Sequence, residues 1–433
     1  MATVTPIPTQ PLVSAADALL RWPADEPLAA LVSGGDDRAH NGWSIFARPR
    51  ETVVIRADAS REEVIRTLDS ALRRTPRGLT SQTPAQGNPP FDGGWIVALG
   101  YGLGAIFEPA TATDGAPGTA PLAILHWCED AWCFEHATGF LHAVGAPPPL
   151  SEGGSPAAWS IDALEAAESD AQYAASVARA VEYIRAGDAF QANIARCFRT
   201  TLRGSARAFA HAAITENRAW FGASIDLPDG GCLTSMSPEL FLRAQPDGTI
   251  VTRPIKGTRP AHVPAAELEQ SSKDAAELAM IVDLMRNDLG RIAEIGSVSV
   301  VEGRVLETHR TVHHGVAEIR ARIAPHTSWL DLISATFPPG SVTGAPKVRA
   351  MQIIHELESA PRDFYCGALG FFARSGHAAL NVAIRTAQVG PMNTEGGRRV
   401  EYHAGCGIVV ESDPATEVAE THAKTRALEQ LAG

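Results

Sequence analysis

An amine in the run Arg253-Pro254-Ile255-Lys256-Gly257-Thr258 is the first group in this chain whose setting points to chemistry. Residues 233–242 and 249–252 are apolar or β-branched and predict strands, which places Lys256 just beyond a strand end. Pro254 removes a backbone donor and Gly257 permits unusual dihedral angles, so a shaped turn is predicted there rather than a helix face. A lysine held in such a turn and partly desolvated becomes a nucleophile near neutrality. An ordinary surface lysine is the alternative that position alone leaves open.

Carboxylates form the second group. Glu417, Glu420 and Lys424 fall at i, i+3 and i+7 of a predicted C-terminal helix, and the same stripe continues into Leu428 and Leu431. Glu277 precedes Met280, Ile281 and Leu284 at helical spacing. An acid on an apolar stripe is costly unless it is paired or holds a cation. Oxygen donors from two helices, with no histidine or cysteine cluster, point to Mg2+. Helix-surface charges, with Asp413 as cap and Glu417 near the positive dipole end, remain the alternative on spacing alone.

A third group suits anions. Gly340-Ser341-Val342-Thr343-Gly344-Ala345-Pro346-Lys347 leads into a predicted helix whose free N–H groups would receive a carboxylate. It lacks the Gly-Lys-Ser/Thr of a phosphate loop. In the predicted strand around Asn381-Val382-Ala383-Ile384-Arg385, period two puts Asn381 and Arg385 on one face, where Arg385 offers a fork for a second carboxylate. Gly405 and Gly407 would let a ligand approach the backbone, although a bulge explains each glycine equally well.

The elements that must position these groups read as mixed. Helices are predicted at residues 171–186, 206–216, 271–292, 329–336, 346–357 and 413–431, and further strands at 367–373, 378–389 and 398–410. Loop-rich stretches at 1–10, 75–90, 111–121 and 146–156 divide the chain into a flexible segment (1–14), an N-terminal region (15–160) and a catalytic region (161–433). The fold class is α+β, with much antiparallel sheet. A net charge of −12 argues against nucleic acid or an anionic membrane surface as partner. With no apolar run long enough for a membrane span and no basic-then-apolar leader pattern, the cytoplasm is the default location. The six cysteines show neither zinc spacing nor a disulfide framework, and read as reduced core residues.

Seven motifs occur in order: Ser237-Pro238-Glu239-Leu240-Phe241, Pro254-Ile255-Lys256-Gly257-Thr258, residues 283–291 (Asp283 to Arg291), Thr311-Val312-His313-His314, Gly344-Ala345-Pro346-Lys347, Ala383-Ile384-Arg385-Thr386 and Glu420-Thr421-His422-Ala423-Lys424. Together they resemble the chorismate-utilising enzymes, the family of anthranilate synthase component I. The likeness is dense from Tyr173 to Leu428, including Gly187-Asp188-Ala189-Phe190-Gln191-Ala192-Asn193, and thinner before. It implies large, mainly antiparallel sheets packed as a sandwich and flanked by helices.

Within that family the residue after Pro-Ile discriminates, and lysine there marks the branch forming 4-amino-4-deoxychorismate rather than anthranilate. The resemblance implies Lys256 as the nucleophile at C2 of chorismate, Glu239 as general acid for the C4 hydroxyl, and His314 as an active-site histidine. It implies Glu277 and Glu420 as Mg2+ ligands, with Glu417 behind them. Arg385 and Tyr365 would hold the enolpyruvyl carboxylate, while Lys424, Lys347 and the backbone at Thr343, Gly344 and Gly407 complete the substrate cage. It further implies ammonia from a separate glutamine amidotransferase subunit, and Ser33 as a candidate effector position at which tryptophan binds. Leu240, Ala261, Ala275, Leu278 and Gly315 depart from the usual pattern without removing a reacting group. Two alternatives are anthranilate or another chorismate-derived product, and a catalytically silent chorismate-binding subunit.

Overall fold

The computed structural model describes residues 5–7, 14–34, 42–75, 77, 88–111, 118, 120–153, 156–308 and 312–432. Most of the predicted flexible segment 1–14 lies outside the described residues, as do Gly35, Thr311 and much of the loops at 75–90 and 111–121. Thr5–Ile7 is a strand, paired with Leu141–Ala143.

Among the described residues every strand pairing is antiparallel, and most of the strands lie along one continuous path. It begins at the edge strand Ser299–Thr308 and passes through Val312–Arg322, Thr249–Arg253, Leu240–Ala244, Ala378–Asn381 and Ala368–Ala373. It continues through Gly94–Leu99, Ala123–Glu135, Trp43–Ile55 and Ala29–Val32. The path then returns through Phe221–Asp226, Cys232–Ser237, Thr386–Met392, Gly397–Ile408 and Gln191–Gly204. The two stretches face each other across an apolar layer that includes Ile45, Ile96, Ile124, Leu233, Leu369 and Phe371, giving the expected sandwich. Hydrogen-bonded strands from either side of residue 160 join at Ala29–Val32 with Phe221–Asp226 and at Gly94–Leu99 with Ala368–Ala373.

Two predicted strands are broken, and the breaks matter. The prediction at 233–242 becomes Cys232–Ser237 and Leu240–Ala244, and that at 378–389 becomes Ala378–Asn381 and Thr386–Met392. At each break the chain leaves one stretch of the sheet and joins the other. Pro238 cannot donate to a ladder, and Arg385 adopts a left-handed φ of 49°, so neither crossing can continue as a regular strand. Asn381 and Arg385 therefore do not share a strand face, contrary to the period-two expectation.

Helices cover the outside. Ser272–Gly290 buries Leu278, Ile281, Met285 and Leu289 against Phe241, Ala317, Ile319 and Phe337. Its Ser271 cap accepts the Asp274 N–H at 3.2 Å. Pro414–Glu429 is capped by Asp413 and turns Glu417, Thr421, Thr425 and Leu428 inward. Among the described residues no helix is long and apolar enough to cross a membrane.

Candidate active site

The two strand crossings brace each other. Val382 N–H donates to the Glu239 carbonyl at 3.0 Å, Met236 N–H to the Arg385 carbonyl at 2.9 Å, and the Ser237 hydroxyl to the Val382 carbonyl at 2.6 Å. A third connector joins them: Cys366 N–H donates to the Ala383 carbonyl at 2.9 Å, which brings Tyr365 alongside. Glu239, Arg385 and Tyr365 thus stand on three irregular segments locked by backbone bonds rather than on flexible loops.

Glu239 is 4 % exposed. Burial pushes its carboxyl up to about 7, against the opposing pull of the Ser341 hydroxyl, the Lys256 charge and the Ile255 N–H. The acid is thereby poised to hold and release a proton near neutrality.

Lys256 lies just beyond the end of the strand Thr249–Arg253, as predicted, and already belongs to a following short strand, Ile255–Pro260, that was not. The register against Val312–Arg322 slips between Ile255 and Thr258, and the resulting bulge at Lys256 and Gly257 supplies the special backbone geometry. Gly257 has a φ of +82°, and a Cβ there would lie 2.6 Å from Leu268 and 2.9 Å from Asp274. A Cβ at Gly315 would meet the Lys256 carbonyl at 2.6 Å, so the glycine that departs from the usual pattern lets the two strands close up. On the amine side, a Cβ at Gly407 would lie 3.2 Å from Lys256 Nζ and 2.1 Å from Gln191 Nε2. Gly407 accordingly opens the floor on which the amine rests. His314, opposite Thr258 in the ladder, is buried, with Nδ1 2.9 Å from the Thr258 hydroxyl and its ring edge-on to Trp220.

Gln191 and Asn193 carried no assigned role in the sequence, although they end one of the quoted motifs. Both are buried, and Gln191 Oε1 and Asn193 Nδ2 find no hydrogen-bond partner. Gly344, at a φ of +142°, presses against the Gln191 carbonyl, so Gly344, Gly407 and Lys256 converge on this residue. Thr343 is less available than predicted: its N–H turns to the Gly340 carbonyl at 3.4 Å and its hydroxyl to the Pro339 carbonyl at 3.2 Å.

Lys347 requires correction. Its Nζ is held by Asp288 at 2.6 Å and by the Thr336 carbonyl at 2.9 Å in a buried pair, so it anchors the loop to the helix Ser272–Gly290 instead of offering a charge to a ligand. Lys424 also has partners, the Glu420 carboxylate at 2.7 Å and the Gly405 carbonyl at 2.6 Å; burial opposes its charge, yet Cys406 and Glu420 hold its pKa above the ordinary lysine value, with Arg385 near enough to act against them. Tyr365 is stacked on His403 with ring centroids 5.2 Å apart, and burial drives its hydroxyl pKa well above the ordinary value. Behind it Arg362 bonds Glu358 at 2.6 Å, the Val342 carbonyl at 3.1 Å and the Asn193 carbonyl at 2.5 Å, tying the floor strand to the anion loop.

Acids from two helices lie within electrostatic reach of one another, although Glu420 stands at the rim and Thr421 and Thr425, rather than Glu420 and Lys424, continue the buried face from Glu417. Burial raises the Glu277 pKa, Glu417 pushes it the same way, and Lys256 and Lys273 oppose, so all four charges share one neighbourhood. Lys273 Nζ is 4.0 Å from Glu277 and its charge also reaches Glu420. Glu417 is 4 % exposed, and its carboxylate has no hydrogen-bond or ion-pair partner among the described residues. A buried, unpartnered carboxylate beside two others is a donor set that fits a hard divalent cation. Ser33 lies elsewhere, in a cavity of about 370 Å³ lined by Val32, Trp43, Trp220, Phe221 and Asn381, with its hydroxyl buried and unpartnered.

The chorismate binding enzyme family profile matches residues 31–430. The chain is 36 % identical over 438 residues to aminodeoxychorismate synthase component 1 of Klebsiella aerogenes, covering 94 % of each sequence. It is 35 % identical to anthranilate synthase component 1 of Streptomyces coelicolor, covering 80 % of this chain and 74 % of that protein. Its structure is similar to anthranilate synthase component I from Streptococcus pneumoniae at a TM-score of 0.72 and 26 % identity, over 89 % of this chain and 91 % of that one.

Proposed function

The chain belongs to the chorismate-binding enzyme family, and on that premise we propose that it is component I of an aminodeoxychorismate synthase, aminating chorismate at C4 to give 4-amino-4-deoxychorismate for 4-aminobenzoate and folate synthesis. The observation that carries this reading is a lysine amine set against the floor at Gln191 and Gly407, within electrostatic reach of a buried carboxyl raised to about 7.

The Lys256 nitrogen lone pair attacks C2, the two ring double bonds shift, and the C4 hydroxyl departs with the proton of Glu239 as water. Ammonia then adds at C4, the double bonds shift back, and Lys256 leaves C2 with its bonding electron pair. Hydroxide is a poor leaving group, so a carboxyl protonated near neutrality lowers that barrier. Arg385 and Tyr365 hold the enolpyruvyl carboxylate, and Lys424 adds positive charge at the cleft. Magnesium bound by Glu277 and Glu420, with Glu417 behind, would neutralise the ring carboxylate. The word "component" in the relatives' names supports a separate subunit, here a glutaminase, as the source of ammonia.

Incubating the purified chain with chorismate, Mg2+ and ammonium, beside Lys256→Ala, tests this. Formation of 4-amino-4-deoxychorismate by the native chain and its loss by at least about a hundredfold in the variant is expected. Anthranilate as the product would replace the assignment; undiminished amination by Lys256→Ala would remove the covalent step.

A further inference from the structure

The strand carrying Gly407 places a thiol on its other side. Cys406 is buried, donates to the Glu417 carbonyl at 3.6 Å, and packs beside Tyr173 under the helix Pro414–Glu429. Its Sγ and one oxygen from each of Glu417 and Glu420 all lie within 4.8 Å of one another. Cysteine spacing could not reveal this cluster, because the thiol stands 11 and 14 residues before the two acids and on a different element. The Glu417 side chain is buried and its carboxylate makes no hydrogen bond or ion pair among the described residues, so it is available to an ion beside the Cys406 sulfur.

We propose that Cys406, Glu417 and Glu420 form a site for a thiophilic divalent cation, zinc being the physiological class and cadmium its spectroscopic probe. Oxygen-only donors serve magnesium, whereas a sulfur among carboxylates selects softer ions. Zinc–sulfur and zinc–oxygen bonds of about 2.3 and 2.1 Å need the three ligand atoms drawn somewhat closer together, which Glu420, on the exposed rim, can do by rotation about its own side chain. On binding, the Cys406 S–H bond breaks, the proton passes to solvent, and the sulfur lone pair forms the metal bond with no change in oxidation state. Lys424 already holds Glu420 Oε1, so the ion takes the other carboxylate oxygen. Because Glu420 is also a proposed magnesium ligand, the two ions compete.

The test titrates the reduced, metal-free full chain with cadmium in the absence of chorismate and ammonia, reading the thiolate-to-cadmium charge-transfer absorbance, then displaces cadmium with zinc. The native chain should give a band saturating at about one equivalent, and Cys406→Ala and Cys406→Ser should both lose it. Zinc affinity should fall by at least about tenfold in both variants, while magnesium affinity changes by less than about twofold. Serine keeps the size of the side chain and a donor to Glu417, and circular dichroism confirms that each variant is folded. A band that persists in the folded variants, or equal zinc affinity, overturns the proposal. The proposal shares Glu420 with the magnesium reading, but the readout contains no substrate, so its failure and that of the amination reading are separately visible.

Discussion

Glu239 shows how much one residue owes to its surroundings. In the sequence it is a polar residue after Ser-Pro, and only the ordered motifs implied a role for it. Burial at a strand crossing then raises its pKa from 4.5 to about 7. The sign is definite: the folded state favours the protonated acid, so this group's contribution to stability is lost as pH rises from about 4.5 through 7. Activity that needs the acid protonated should likewise fall on the alkaline side with an apparent pKa near 7. The Ser341 hydroxyl stabilises the ionised form, so Ser341→Ala should raise that pKa and move the alkaline limb of the pH–kcat/KM profile upward. A limb that stays in place would separate Ser341 from the acid. Lys256 was legible earlier because its neighbours, proline and glycine, announce unusual backbone; Gln191 was not, because nothing around it in sequence marks an amide as facing a cleft.

Helices were the more legible elements, since their boundaries follow local capping and a 3.6-residue apolar period. The predicted helix at 329–336 is observed as Trp329–Thr336, and that at 271–292 as Ser272–Gly290. The latter orients Lys273, Glu277 and the loop anchor Asp288 together. Removing its cap by Ser271→Ala should cost about 1 kcal/mol in chemical denaturation, while Ser271→Gly should cost only a few tenths. Equal losses would mean that the hydroxyl bond to Asp274 N–H contributes little. The strands were less legible. Residues 233–242 and 378–389 read as unbroken because β-forming residues flank each short crossing on both sides, and only long-range pairing shows that the two ends belong to different stretches of sheet. The strands Gln191–Gly204, Phe221–Asp226, Ser299–Thr308 and Val312–Arg322 were not predicted, being framed by weak turn signals or, at the edge, mixed in polarity.

At the scale of the molecule, the sheet places the Ser33 cavity beside the crossings. Asn381 lines that cavity, pairs with Leu240, and precedes Val382, whose N–H holds the Glu239 carbonyl. We propose tryptophan as its ligand, in keeping with the unpartnered Ser33 hydroxyl and the aromatic lining. Tryptophan in excess should then raise the thermal midpoint in a concentration-dependent way, and Ser33→Ala should weaken the effect. No shift at millimolar tryptophan would remove it as the ligand.

The sequence by itself determined which groups could react: an amine beside a permissive glycine, acids on apolar helical stripes, and ordered motifs with a family likeness. Those features are local, and side-chain type and spacing record them. Tertiary structure alone decided which groups meet and which are already taken. It put the bulge under Lys256, buried Glu239 enough to hold its proton, paired Lys347 with Asp288 and brought Cys406 to the acids. Each of these depends on desolvation and on contacts between distant segments, which a one-dimensional pattern does not encode.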